Sequence, residues 1–335
     1  MIRVGIIGLG MMGGMHYRAW QEIEGAEVVA VADADPKRAA GDLSTGWSNL
    51  PGAAKQLDMT RITGTTDARE LIAMENVDLV DVCVPTPYHA ELAIAALEAG
   101  KHCICEKPLA RTAEQARQIA AAAEKSEGFC LPGMCIRFWP EWAWLARMIE
   151  RGSYGKVLDA TFRRVGPVPP GWFGDGKLSG GAILDLHLHD TDFVKFAFGK
   201  PGAVHSFGRV GKTGCIDQLV THYIYEDDGP IVTAEGSWAM TDPFPFRMDY
   251  TVNFERATAE YVMLREEPLV IYEKGKATPH ACDGADGYHN ELAYMAQCIA
   301  SGKAPSVITP ADAAESIEIV ESEAESVRTG LRVKV

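Results

Sequence analysis

Ile2-Arg3-Val4-Gly5-Ile6-Ile7-Gly8-Leu9-Gly10-Met11-Met12-Gly13 is the stretch that decides the fold. Ile2 to Ile7 reads as a buried strand. The G-x-G-x-x-G glycines follow at once and open an amphipathic helix over Met12 to Ile23. Gly8 permits a tight turn, Gly10 lets the backbone approach a pyrophosphate, and Gly13 allows close helix–strand packing. Free N–H groups and the positive dipole end at Met11 and Met12 suit phosphate. A second strand, Glu27 to Ala32, ends at Asp33, twenty residues beyond Gly13. A carboxylate there accepts hydrogen bonds from ribose hydroxyls and repels a 2′-phosphate. The unit is therefore expected to bind a dinucleotide, NAD in preference to NADP, with Lys37 and Arg38 partly offsetting that preference.

Outward from this unit, strand and helix keep alternating. A short third strand is expected at Thr60 to Gly64 and a helix at Asp67 to Met74. Then come a strand over Val77 to Val84, a helix over Pro87 to Ala99 and a strand over His102 to Cys105. The helix Thr112 to Ser126 and a strand over Phe129 to Met134 close the series. Such alternation argues for a doubly wound parallel sheet, an α/β Rossmann domain over residues 1–130. Residues 131–335 read differently. Helices are expected at Pro140 to Arg151, Gly181 to Phe198, Tyr288 to Ile299 and Pro310 to Arg328. Strands follow one another from Val204 to Tyr272, with a turn at Asp227-Asp228-Gly229-Pro230. This predicts an α+β domain with a large open, mostly antiparallel sheet, serving substrate binding and oligomerisation.

Composition fits a two-domain globular chain of 335 residues, 47% hydrophobic and 23% charged. The net charge of −14 argues against nucleic-acid or anionic-lipid partners. Basic pairs such as Arg163–Arg164 read as solvated. No apolar run reaches membrane-span length, and no leader pattern is expected before Ile2. The eight cysteines include no C-x-x-C and no zinc spacing, so no metal is expected. Cys83, Cys103 and Cys105 read as reduced core residues of a cytoplasmic protein.

Two further strand ends stand out, because ligands of such sheets bind outside the carboxyl ends of the strands. Val84-Pro85-Thr86-Pro87-Tyr88-His89 makes a stiff exit, with Thr86 placed to cap the next helix. Pro85, Thr86 and His89 are either cofactor contacts or parts of a rigid turn. Cys105-Glu106-Lys107-Pro108 puts a lysine at the mouth of the sheet, although a lysine at a strand end is more often a surface residue. In Gly180-Gly181-Ala182-Ile183-Leu184-Asp185-Leu186-His187-Leu188-His189-Asp190, Asp185 and His189 stand four apart and share a helical face. They are a proton-transfer pair, a core hydrogen bond or a helix support; His187 is offset, which argues against one metal seeing all three.

The G-x-G-x-x-G loop, Asp33, Thr86-Pro87-x-His89, Glu106-Lys107-Pro108 and Gly-Gly-x-x-x-Asp185-x-x-x-His189 occur together in this order. With them the chain resembles, over essentially its whole length, the glucose-fructose oxidoreductase/inositol dehydrogenase/rhizopine-catabolism (Gfo/Idh/MocA) family. The resemblance implies an NAD-dependent dehydrogenase that oxidises a secondary alcohol of a sugar, cyclitol or related polyol. It implies that Lys107 sits near the nicotinamide with a cis peptide before Pro108, and that Asp185 and His189 bind substrate and move the proton. It also implies a homodimer or homotetramer through the second-domain sheet. Arg137, Trp172, Tyr288 and His289 are candidate substrate contacts, and Trp139, Trp142 and Trp238 further aromatic faces for a sugar. Alternatives are a non-catalytic NAD-binding sugar sensor, which typically loses the lysine or histidine, and an NAD-dependent glycosidase, whose relatives tend to be exported.

Overall fold

The computed structural model describes residues 1–44, 55–226 and 228–335. In chain order the elements open with β1 (Ile2–Ile7), α1 (Met11–Glu22), β2 (Ala26–Ala32), α2 (Pro36–Ala39), β3 (Thr63–Thr65) and α3 (Ala68–Ala73). They continue with β4 (Leu79–Val82), α4 (His89–Glu98), β5 (His102–Glu106), α5 (Ala113–Lys125) and β6 (Cys130–Gly133). Then come α6 (Pro140–Glu150), β7 (Val157–Val165), α7 (Gly176–Ser179), a π-helical segment (Ile183–His187) and α8 (Leu188–Phe198). β8 (Ala203–Val210), β9 (Ile216–Ile224), β10 (Ile231–Ser237), β11 (Arg247–Phe254), β12 (Thr258–Val262), β13 (Leu269–Glu273) and β14 (Lys276–Pro279) follow. α9 (Gly287–Ser301), α10 (Pro310–Thr329) and β15 (Val333–Lys334) end the chain. The turn read at 227–230 begins at Asp227, which lies outside the described residues.

Backbone contacts divide the chain into two compact units, Met1–Phe138 with Ala285–Ala314, and Trp139–Gly284 with Glu315–Val335. The sequence shows one cut near residue 130. In the fold the first unit runs on to Phe138 and takes back 285–314, including α9.

The first unit holds a six-stranded parallel sheet in the order β3-β2-β1-β4-β5-β6. That order reverses direction between β1 and β4, where doubly wound sheets bind ligands. Its central strands are apolar runs because helices cover both faces. Val80, Val82, Cys103, Ile104 and Cys105 are all buried, and Asp81 and Glu106 are the charged exceptions in β4 and β5.

The second unit holds a nine-stranded sheet ordered β14-β13-β12-β11-β7-β10-β9-β8-β15, antiparallel except for the β7–β10 pair. Burial alternates along β11, so one face is packed and the other open. On the packed face Trp142 meets Phe193 edge-on at 4.8 Å between ring centres and Tyr250 at 5.1 Å. Trp142 is thus core, not a sugar platform. The open face carries exposed Phe207, Val220 and Ile231. Among the described residues no helix is long and apolar enough to cross a membrane.

Candidate active site

In the first unit the glycine loop has the geometry its spacing predicts. Gly8 has φ 91°, and a Cβ there would lie 2.7 Å from the Cys83 backbone. A Cβ on Gly13 would lie 1.9 Å from the Gly8 carbonyl oxygen, so only hydrogen lets α1 pack this closely. Gly10 differs: its φ is −74°, and a Cβ would meet nothing within 4 Å. The first intrahelical bond runs from Gly14 N–H to Gly10 C=O. The amides of Met11, Met12 and Gly13, in the first turn of α1, therefore have no intrahelical acceptor.

Asp33 is buried at the end of β2. Its Oδ2 accepts the Leu9 N–H at 2.7 Å, its Oδ1 accepts the Asp35 N–H at 2.8 Å, and Arg38 lies 2.9 Å from Oδ1. The carboxylate fixes the glycine loop as well as ending the strand. An open glycine cradle at a helix N-terminus with a carboxylate on the adjacent strand fits a dinucleotide.

Beyond β4 the chain enters a 3₁₀ turn, Thr86–Tyr88, led by Pro85. Thr86 does not cap α4: the residue before that helix is Tyr88, without a side-chain cap. The Thr86 hydroxyl is instead a buried, unpartnered polar atom at a strand's carboxyl end. His89 has another task. Its Nδ1 lies 2.7 Å from the Pro108 carbonyl oxygen and its Nε2 2.8 Å from that of Val84. The ring clips two strand-end turns together, and burial pulls its pKa below the ordinary value despite those two acceptors. At the end of β5, Glu106 Oε2 accepts the Lys107 N–H at 2.9 Å. Lys107 is half-buried, and the Lys107–Pro108 peptide is cis.

Three candidate substrate contacts lie in this unit rather than the second. Arg137 is buried and donates from Nη1 to the Val307 carbonyl at 2.7 Å. Tyr288 and His289 lie in the first turn of α9. His289 is 3.6 Å from Glu22 and lines a hollow of about 690 Å³ with Met1, Asp78 and His102. That hollow is at the amino ends of β1 and β5, away from the glycine loop.

In the second unit Asp185 lies in the π-helical segment and His189 in the first turn of α8. Sequence periodicity reads one α-helix there; π turns inside helices recur at functional sites. Gly180 and Gly181, at φ 86° and 75°, swing the chain into this segment. Asp217 anchors its start, accepting the Ala182 N–H at 3.3 Å, the Thr213 N–H at 2.8 Å and the Thr213 hydroxyl at 2.7 Å. Asp185 is buried and His189 half-buried. Leu186 packs with Ala182 and Trp238, and Phe173 joins that cluster with Trp172 stacked on it at 4.2 Å.

His187 turns the other way. It is fully buried against β10, where a Cβ on Gly236 would lie 2.7 Å from its Nδ1. Its Nε2 lies 3.4 Å from the Tyr223 hydroxyl and 3.5 Å from Glu323. Burial, and then the Arg164 charge, push its pKa down to about 3, so it is neutral. Arg164 is not solvated as its sequence setting suggests: it is buried and pairs with both carboxylate oxygens of Asp190 at 3.0 and 3.1 Å. Arg163 pairs with Glu235 at 2.7 Å.

Sequence reasoning missed Asp81, Asp217, Glu291 and Glu323, all buried. None carries a motif in the linear sequence, because what buries each of them comes largely from distant elements.

Residues 2–134 match the family described as "Oxidoreductase family, NAD-binding Rossmann fold", and residues 142–260 match the "GFO/IDH/MocA C-terminal domain". The chain is 27% identical to the scyllo-inositol 2-dehydrogenase (NAD(+)) of Bacillus subtilis, over all of this chain and 96% of that protein. It is 31% identical to the myo-inositol 2-dehydrogenase of Thermotoga maritima over 65% of this chain and 64% of that one. Its fold is similar to that of a levoglucosan dehydrogenase solved with NADH and levoglucosan, with a TM-score of 0.84 at 23% identity, covering 100% of this chain and 99% of that one. The chain belongs to the Gfo/Idh/MocA family of NAD-binding oxidoreductases.

Proposed function

We propose that this protein oxidises a secondary alcohol of an uncharged sugar, cyclitol or related polyol, reversibly and with NAD. The observation that carries the reading is Lys107, held half-buried at the carboxyl end of β5 in a chain that also keeps Asp185 and His189. A neutral substrate is supported by the engagement of Arg163 with Glu235 and of Arg164 with Asp190. The stacked Trp172 and Phe173 beside the Asp185 segment offer apolar faces to sugar C–H groups.

The glycine loop would hold NAD, which would supply the hydride acceptor for the carbinol carbon. The imidazole of His189 takes the hydroxyl proton as general base. The Lys107 ammonium is a hydrogen-bond donor that balances negative charge developing on a substrate oxygen. Asp185 orients that imidazole or holds a neighbouring hydroxyl. The amides of Met11 and Met12 bind pyrophosphate, Asp33 the ribose, and Pro85, Thr86 and Glu106 line the nicotinamide end.

Two further features belong to this reading. The apolar residues on the open face of the second-unit sheet, Phe207, Val220 and Ile231 among them, support a homo-oligomer through that face. Eight free cysteines support a reducing, cytoplasmic setting.

The test is a panel of sugars and cyclitols with NAD and NADP in parallel, followed by NADH absorbance. Turnover with at least one polyol and NAD is expected; silence across the panel refutes the reading. Lys107→Ala is expected to lower kcat by about 10²–10⁴-fold while NAD still binds, and unchanged turnover overturns its assignment.

A further inference from the structure

The dinucleotide-binding unit contains a buried charge cluster of which the hydride-transfer scheme uses only Glu106. His16 on α1, Asp81 on β4 and Glu291 on α9 are each fully buried, and Glu106 on β5 is 5% exposed. Asp81 is well satisfied. It accepts the Trp20 indole N–H at 2.8 Å and the Cys83 thiol at 3.4 Å, and both its oxygens lie 3.0 Å from His16 Nδ1. Burial opposes a charge on His16, but Asp81 and then Cys83 outweigh it and raise the imidazole's pKa. Burial also pushes the Cys83 thiol up, so it stays a donor.

On the other side of the ring, His16 Nε2 lies 3.1 Å from Glu106 Oε1, while Glu106 Oε2 holds the Lys107 amide. Both oxygens of Glu291 are sealed from solvent and have no hydrogen-bond partner. Ligating atoms of His16, Glu106 and Glu291 all lie within 4.8 Å of one another. The charged or titratable groups facing Glu291 are thus His16 from α1, Asp81 from β4, Glu106 from β5 and Asp286 from the turn before α9.

Three ionised carboxylates against one imidazolium would leave uncompensated negative charge in a dry site. That excess of two negative charges is reduced by a proton, to one, or cancelled by a divalent ion. The ligand count favours the proton. Structural zinc takes four protein ligands and catalytic zinc keeps an open position, whereas this site offers three ligands and is closed. Asp81 and Cys83 lie at the other nitrogen of His16.

We propose that Glu291 keeps its proton at neutral pH and is a positioning residue for Lys107: as a neutral acid it leaves Glu106 as the one charge facing His16 Nε2, and so holds Glu106 in place as acceptor of the Lys107 amide. The direction agrees with burial and the Glu106 charge, which raise its pKa well above the carboxylate range. This inference rests on the part given to Lys107 under the proposed function.

The experiment uses full-length protein labelled with ¹³C at the glutamate carboxyl groups. Infrared and NMR spectra at neutral pH are expected to show a neutral carboxylic acid in the wild type that is lost in Glu291→Gln. Because Glu323, raised to about 8, gives a neutral-acid signal of its own, the spectra are also recorded with Glu323→Gln; absence of a remaining neutral-acid signal there overturns the proposal whatever the turnover, so it fails separately from the dehydrogenase reading. A stoichiometric divalent metal in the purified protein, lost in Glu291→Gln, also overturns it. In turnover, Glu291→Ala is expected to lower kcat by about tenfold to a hundredfold with NAD affinity kept. Glu291→Gln, neutral and of the same shape, rescues most of that loss. A Gln variant as impaired as the Ala variant shows that an ionised carboxylate is needed and refutes the assignment.

Discussion

Gly10 and Gly13 separate what the glycine loop does for binding from what it does for folding. In Gly13→Ala the new methyl would start 1.9 Å from the Gly8 carbonyl oxygen, against an ordinary contact of 3.4 Å or more. The loop or α1 must therefore give by about 1.5 Å, and backbone stands on both sides of the clash. Overpacking of this kind costs roughly 1–3 kcal/mol, and with no flexible side chain to yield, the cost falls near about 3 kcal/mol. For a unit of this size that corresponds to a Tm lower by about 6–12 °C. Gly10→Ala meets nothing within 4 Å and has an ordinary negative φ, so its melting temperature is expected to match the wild type. Its methyl instead enters the space proposed for the pyrophosphate. Losing one charge-assisted hydrogen bond there, worth about 1.5–3 kcal/mol, weakens NAD by roughly ten- to a hundredfold. Thermal melts without ligand and calorimetric titration with NAD measure both effects. If Gly13→Ala melts with the wild type, the packing argument is wrong; if Gly10→Ala binds NAD normally, the phosphate path lies elsewhere.

Asp33→Ala removes the carboxylate that repels a 2′-phosphate and frees Arg38 from its 2.9 Å pair. The ratio of kcat/KM for NAD over NADP is expected to fall, and an unchanged ratio refutes the role of Asp33. Glu323, buried against Tyr223 and Thr191, has a pKa raised to about 8, chiefly by burial. A raised carboxyl pKa contributes stability that is fully present below the unfolded value of about 4.3 and is lost as pH rises through about 8. Denaturant unfolding across that window should show a falling limb in the wild type that Glu323→Gln flattens; identical profiles would place Glu323 outside the effect. Phe207→Glu puts a charge on the open sheet face, where Phe207 is 65% exposed. Sedimentation should show a smaller species than the wild type, and an unchanged assembly refutes that face as the interface.

What was legible in the sequence is what local sterics and periodicity dictate. The glycine spacing foretells the Gly8 and Gly13 contacts because a strand–turn–helix leaves no alternative at those positions. Uninterrupted apolar strands foretell the parallel sheet, and alternating ones the half-open sheet. Helix detail was less legible. A period of 3.6 residues reads 181–198 as one α-helix, whereas residues 183–187 form π turns behind two glycines in the left-handed region. Thr86 has the composition of a cap, but the 3₁₀ turn intervenes and leaves its hydroxyl unpartnered.

The buried polar partners were not legible at all, and the reason is topological. Glu291 sits in α9, which by pattern alone is one more amphipathic helix; only the return of 285–314 to the first unit brings it to His16 and Glu106. Glu323 likewise reads as a charge on the long last helix, until Thr191 and Tyr223 claim it across more than a hundred residues and about a hundred residues of chain respectively. In both cases a carboxylate from a late helix is buried beside a segment bearing the proposed chemistry: Glu291 behind Lys107, and Glu323 behind the helix of His189. A buried acid without full hydrogen bonding costs stability, so such positions are expected to be retained for what they hold in place rather than for the energy they contribute. The glycine loop identifies the chain as a nucleotide binder, but the placement of Lys107 rests on side chains whose partners the linear sequence keeps far apart.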